Sequence, residues 1–117
     1  MTKTVGVDRR FRQVVEPSDT ELADILERAA EVIEQCGWCR YSYTNAGAVC
    51  YLGAIRRVVL PPVVDSYAMA RFAAIHARLN HEFFHRPVST WNDYEAKDAS
   101  EVIDSMKSIA KDLRNRA

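Results

Sequence analysis

Long hydrophobic runs are missing from this sequence, and so is any excess of charge of one sign. No stretch approaches the ~18 consecutive apolar residues that a membrane-crossing helix needs. Met1-Thr2-Lys3-Thr4 is not followed by the apolar run of a signal peptide. Lys+Arg and Asp+Glu number 16 each. A neutral domain has no broad field to gather phosphate backbones, which argues against nucleic acid as a partner. The basic pairs Arg9-Arg10 and Arg56-Arg57 are short enough to be solvated surface. Cysteine is scarce and odd in number, at 3, which does not suit a secreted disulfide framework. The expectation is a cytoplasmic protein with no membrane association, whose thiols are free, buried or metal-bound.

What is present is ordinary globular material. Apolar residues make up 48% and charged residues 27% of 117 positions. A chain of this size buries roughly two thirds of its unfolded surface, so it needs neither disulfide nor metal to fold. Residues 1–17 hold scattered apolar positions and read as an N-terminal arm, with a short extended piece around Phe11 to Val15. Residues 18–117 read as a single helical domain.

Helical periodicity organises that domain. Ser18 stands three residues before Glu21, the spacing of a capping box. Leu22, Ile25, Leu26, Ala29, Ile33 and Cys36 then recur on one stripe until Gly37 stops the helix. From Trp38 to Val49 the period changes: Tyr41 and Tyr43 alternate with polar residues, and Asn45-Ala46-Gly47 supplies turn chemistry. A hairpin or ordered loop here would bring Cys39 close to Cys50. A second helix spans Cys50 to Val59 and stops at Pro61-Pro62. Gly53 inside it lowers helix propensity by ~1 kcal/mol relative to Ala, which suggests a close backbone approach. A third helix runs from about Ser66 to Phe84, with Ala68, Phe72, Ile75, Leu79 and Phe83 on its stripe. The segment Val88 to Lys97 reads as a loop. Asp98 and Glu101 cap a fourth helix, whose buried stripe is Val102, Met106, Ile109 and Leu113. The fold class is mainly α: a small bundle of about four helices with a short β-hairpin between helices 1 and 2.

Ordered together, several short motifs form a pattern. Gly37-Trp38-Cys39, Cys50-Tyr51-Leu52-Gly53-Ala54 and Trp91-Asn92-Asp93, followed by a capped helix near Glu101-Val102-Ile103, resemble an uncharacterised family. It comprises short proteins of actinobacteria and their phages, known as a domain of unknown function. The resemblance spans about Leu22 to Ala110. Asp98 replaces the family's threonine before the last helix, one N-cap for another. The usual glycine after the Trp-Asn-Asp triplet is replaced by Tyr94-Glu95-Ala96. The family supplies no activity. It implies that Trp38, Cys39, Cys50, Gly53, Trp91, Asn92 and Asp93 belong to a common framework.

Three groups of residues carry chemistry. Trp38 and Trp91 each need a partner for the indole N–H, and Asn92 and Asp93 suit backbone donors in an irregular segment. The functional reading of the same residues is a polar pocket walled by aromatic rings, formed by Trp38, Tyr41, Tyr43, Trp91, Asn92 and Asp93, for a small ligand or a peptide. Cys36-Gly37-Trp38-Cys39 has the spacing of redox dithiols and zinc knuckles. No strand–helix alternation of a thioredoxin-like fold surrounds it, and Cys36 falls on an apolar stripe as a buried hydrophobe would. Cys39 and Cys50 are the better pair. Buried free thiols are the leading reading, with a structural metal and a disulfide or redox role as the open alternatives.

His81-Glu82-Phe83-Phe84-His85 matches the helical motif in which two histidines one turn apart bind zinc and the glutamate activates water. His81 and His85 would be the ligands, Glu82 the catalytic base, and Glu101 or Asp104 a third ligand. The motif sits at a helix end before Pro87, and no edge strand is evident to hold a peptide. Two cysteines, either Cys39 and Cys50 or Cys36 and Cys39, with His81 and His85 would instead make a closed structural zinc site.

Without a complete catalytic set, the leading expectation is a non-enzymatic binding or regulatory protein. It would act on a cellular or host protein, or on a small-molecule ligand, with no cofactor. The alternatives are a zinc-dependent hydrolase and a structural zinc domain. The family's distribution adds a phage accessory protein that blocks a host protein or captures a host signalling nucleotide. No oligomeric state is implied.

Overall fold

The computed structural model describes residues 15–117. Among them the chain forms, in order, α1 (Asp19–Cys36), β1 (Thr44–Asn45), β2 (Ala48–Val49), α2 (Tyr51–Val59), α3 (Ser66–Arg78), α4 (Val88–Thr90) and α5 (Ala99–Arg116). The helices α3 and α4 run on into wider π-helical turns at Leu79–Phe84 and Trp91–Glu95. The extended piece expected around Phe11 to Val15 lies, except for Val15, outside the described residues. Val15 itself is helical and buried.

The local signals act as their chemistry requires. Ser18 Oγ accepts from the Glu21 N–H at 3.1 Å and Glu21 Oε1 accepts from the Ser18 N–H at 2.9 Å, completing the capping box. Gly37 ends α1 at φ 91° and ψ 167°, a positive-φ corner that turns the chain straight into an extended path. At α5 the carboxylate of Asp98 caps the Glu101 N–H at 2.9 Å, while Glu101 reaches one residue further back, to the Lys97 N–H at 2.7 Å. Asp65 caps α3 through the Ala68 N–H at 2.8 Å. The N-cap of α2 is a thiol: Cys50 Sγ accepts from the Gly53 N–H at 3.3 Å.

Helices α1 and α5 pack antiparallel, as four ion pairs along their length show: Arg116 with Asp19, Arg114 with Asp24 and with Glu27, and Lys107 with Glu34. Beneath those exposed pairs lie Leu22, Leu26, Ile33, Val102, Met106 and Leu113, all essentially without solvent contact. Helix α2 completes this core with Leu52, Ala54 and Ile55, and α3 adds Phe72, Ile75 and Leu79. Burial of such side chains at ~25 cal/mol per Å² is the main force holding the elements together. No described helix is long and apolar enough to cross a membrane.

Two sequence expectations are corrected. The segment Val88 to Lys97 is not a loop but largely helical, so five helices rather than four occur among the described residues. Its start is set by a distant side chain, because Asn80 Oδ1 accepts the Val88 N–H at 2.8 Å. One short α-turn followed by a π-turn is too brief and too irregular to leave a periodic stripe. The hairpin is shorter than the Tyr41–Tyr43 alternation suggested. Its strands pair only Thr44 with Val49 and Asn45 with Ala48, and Tyr41 sits at φ 71° in a bend. The turn residues Ala46 and Gly47 lie at φ 53° and 91°, the two left-handed positions of a tight two-residue hairpin.

Candidate functional site

Asn92 is the one buried polar side chain among the described residues, at 1% exposure. It sits at the junction of the hairpin, α2 and the turn after α4. Its Oδ1 accepts from Trp38 Nε1 at 2.7 Å and from the Tyr51 N–H at 3.0 Å. Its Nδ2 donates to the Cys39 carbonyl at 3.2 Å and to Asp93 Oδ1 at 2.9 Å. All four hydrogen-bonding positions of the amide are filled. A buried amide so satisfied is stable, whereas loss of the side chain would strand several buried partners.

The groups that Asn92 joins are locked further. Asp93 Oδ1 also accepts from the Tyr41 N–H at 2.8 Å, holding the left-handed backbone of a non-glycine residue. Arg40 lies 4.5 Å over the Trp38 ring and donates to the Ala96 carbonyl at 2.8 Å. Trp91 contributes to the core rather than to a surface pocket. Its ring centroid is 5.9 Å from Tyr51 and 5.3 Å from Phe84, with Tyr51 and Phe84 edge-on at 5.5 Å. Tyr51 is wholly buried, with its hydroxyl 3.4 Å from Ser105 Oγ. The expected glycine after Trp-Asn-Asp is not required here, since Ala96 adopts φ −65° and is buried.

Gly53 shows how closely the hairpin rests on α2. A Cβ at this position would lie 2.1 Å from the Tyr43 carbonyl oxygen. That carbonyl accepts the Cys50 N–H at 3.1 Å, so the contact is backbone against backbone and cannot be relieved by a rotamer. The Trp38–Val49 bridge runs parallel, with the Cys39 N–H donating to the Val49 carbonyl at 3.0 Å. Cys39 and Cys50 are thereby neighbours, as the sequence suggested.

Beside this framework opens a cleft of about 420 Å³, lined by Tyr41, Ser42, Tyr43, Cys50, Leu52, His76, Ser89 and Asp93. The six aromatic and polar residues expected to form a pocket thus divide. Tyr41, Tyr43 and Asp93 line the cleft; Asn92 and Trp91 stand behind it as support. Trp38 borders a neighbouring hollow with Cys39, Arg40, Tyr41 and Asn45. The sequence reading missed His76, Ser89, Ser42 and Leu52. His76 carried one usable signal: it lies one helical turn beyond Phe72, on the edge of the buried stripe. Burial depresses its imidazole below the ordinary 6.5, which favours the neutral ring.

The thiols do not resemble nucleophiles. Cys36, Cys39 and Cys50 are free, and burial pushes both Cys39 and Cys50 above the ordinary thiol value. Cys50 is committed to capping α2, and Cys39 Sγ is 3.5 Å from the Ser42 carbonyl. A thiol held protonated attacks poorly. Cys36 is only half-buried, with Arg57 Nη1 at 3.7 Å from its sulfur, rather than the core hydrophobe its stripe position suggested.

The His81–His85 segment lies elsewhere. His81 and His85 line a separate surface hollow with Asn80, Arg86 and Pro87, where neither Cys39 nor Cys50 reaches. The segment is wound as a π-turn, and His85 leaves it at φ 55°, so the two rings are not presented one α-turn apart on a continuous helix. Both carboxylate oxygens of Glu82 are taken: Arg78 Nε at 2.8 Å, Arg78 Nη2 at 3.0 Å and Arg116 Nη2 at 3.1 Å. The paired Arg78 guanidinium, with Arg116 behind it, holds the Glu82 carboxyl below its ordinary 4.5, the wrong direction for a general base. Among the described residues, no three His, Cys, Asp or Glu side chains converge as metal ligands would, Glu101 and Asp104 included.

Fold and site together define a small α-helical domain built round a Trp–Asn–Asp hub, with an open cleft beside it. The chain belongs to a family of unknown function (DUF6197), whose model matches residues 17–112. That match contains the hairpin, the hub and every residue lining the cleft. No curated protein and no solved structure matches the chain.

Proposed function

We propose that this protein is a non-enzymatic binding protein that takes a small molecule into the cleft between the hairpin and α3. One observation carries the reading: Tyr41, Tyr43 and Leu52 offer apolar walls at the same opening where Asp93, His76, Ser42 and Ser89 offer polar atoms. A volume near 420 Å³ falls within the roughly 300–1,000 Å³ range of small-molecule sites. Support from a saturated buried amide gives such a site the rigidity that selective binding needs. The same opening lacks an activated nucleophile, since the Cys50 thiol is raised by burial and capped by a backbone N–H.

Filling the cleft tests the proposal. Ser89 is exposed on α4, so Ser89→Trp obstructs the opening without entering the core. Native mass spectrometry of the protein recovered from cell extract would show a retained small molecule in the wild type and its loss in Ser89→Trp, with unchanged circular dichroism. Equal retention by both proteins would overturn the assignment to this cleft.

A further inference from the structure

Resting on that cleft, we infer the class of ligand: an organic ammonium group, seated between the Asp93 carboxylate and the ring of Tyr41. Of the described residues lining the cleft, Asp93 is the only carboxylate, and no lysine or arginine is among them. Asp93 Oδ1 is consumed by the Tyr41 N–H and Asn92 Nδ2, while Oδ2 has no partner among the described residues. The carboxylate therefore keeps acceptor capacity for a donor arriving from outside. Arg40 is engaged on Trp38 and the Ala96 carbonyl, and Arg56 already sits 4.4 Å over the Tyr43 ring, which leaves Tyr41 as the ring for an incoming cation.

The aromatic walls suit the same ligand. Ring faces attract cations through their quadrupole, most strongly where water is partly excluded. Tyr41 is 67% exposed, with Tyr94 at 5.6 Å between ring centroids. The Asp93 hydrogen bond that holds it couples ring position to carboxylate position. An anion would meet no cationic side chain among the described residues lining the cleft. The amides at the N-terminus of α2 are already used, Tyr51 N–H by Asn92 and Gly53 N–H by Cys50. Burial favours the neutral form of the His76 imidazole, which makes it a poor partner for an anion.

The test is an amide-resolved NMR titration of the full chain at pH 7.5 with benzylamine, benzyl alcohol and benzoate, which share one ring and differ in charge. Benzylamine is expected to shift the Tyr41, Leu52 and Ser89 amides with about ten-fold higher affinity than benzyl alcohol, a difference of about 1.4 kcal/mol. Benzoate is expected to bind more weakly still. Asp93→Asn retains an Oδ1 acceptor for the Tyr41 and Asn92 donors, so the hub survives. It should cancel the preference for benzylamine over benzyl alcohol. Equal affinities for the three probes, or a benzylamine affinity indifferent to Asp93→Asn, would overturn the charge assignment. If benzyl alcohol still bound there and was displaced by Ser89→Trp, the cleft itself would stand. Shifts confined to other surfaces, insensitive to Ser89→Trp, would overturn the cleft reading as well.

Discussion

Trp91-Asn92-Asp93 and His81-Glu82-Phe83-Phe84-His85 are close neighbours in the chain and equally suggestive of chemistry, yet the fold uses them in opposite ways. The triplet turns inward: Asn92 is buried with every polar position satisfied, and it ties together elements from three parts of the chain. The pentapeptide turns outward, with His81, Glu82 and His85 exposed. Only its two phenylalanines face the protein, Phe84 against Tyr51 and Trp91, and Phe83 beneath Arg116 at 5.5 Å. The difference teaches that residue types do not define a site; geometry and unsatisfied capacity do. Among the described residues, both oxygens of Glu82 are partnered, whereas Asp93 Oδ2 is not.

The comparison predicts unequal sensitivity to mutation. Asn92→Ala should be the most damaging change, because the buried Tyr51 N–H and the part-buried Trp38 Nε1 and Cys39 carbonyl all lose their partner. At about 1–3 kcal/mol for each group stranded, a loss of about 3–5 kcal/mol is expected by urea denaturation. A loss under about 1 kcal/mol would show that Asn92 is not the hub.

Gly53→Ala comes next. Alanine improves helix propensity by about 1 kcal/mol, but its Cβ meets the Tyr43 carbonyl at 2.1 Å. Net destabilisation of about 2–3 kcal/mol is expected, in line with overpacking of a rigid contact. Tyr43→Ala should not rescue it, since the obstacle is backbone. Stabilisation by Gly53→Ala would mean that the hairpin does not rest on α2.

Glu82→Gln should cost about 0.5–1 kcal/mol, the range for a partly exposed ion pair. Because Arg78 depresses the Glu82 carboxyl in the folded state, its contribution is present above pH 4.5 and disappears as the pH falls through the lower folded value. Thermal melts of wild type and Glu82→Gln should therefore converge on acidification. His76 has its own acid window. Its folded pKa lies below the ordinary 6.5, so the unfolded chain takes up the proton first and stability falls as the pH drops below 6.5. His76→Gln should lessen that loss between pH 7 and pH 5; an unaltered pH dependence would place His76 in solvent rather than at a buried wall.

The smallest effect is expected at the pentapeptide's exposed ends. His81→Ala and His85→Ala should each change stability by less than about 0.5 kcal/mol. Elemental analysis of protein prepared without chelators should find no zinc dependent on either residue. Stoichiometric zinc, lost with His81→Ala, would reverse the ranking of the two motifs.

Much of the fold could be read from the sequence because its signals are local. The stripe Leu22, Ile25, Leu26, Ala29 and Ile33, the Ser18–Glu21 box and the Pro61-Pro62 stop all appear where the residues suggested. So does the tight turn at Ala46-Gly47. Helix α4 and its π-turn were not legible, since their start depends on the Asn80 side chain eight residues upstream. His76 was hidden for another reason. A histidine on an apolar stripe reads as core until the opposite wall, contributed by the hairpin, is in place.

What the sequence determined alone is the four longer helices and the Ser18 and Asp98 caps, because periodicity and capping act over about four residues. What only the tertiary structure decided is the meaning of Trp38, Gly53, Asn92 and Asp93. The partners of Asn92 lie 41, 53 and 54 residues away. Contacts of that separation depend on packing of the whole chain, and packing separated a saturated hub from the open cleft it supports.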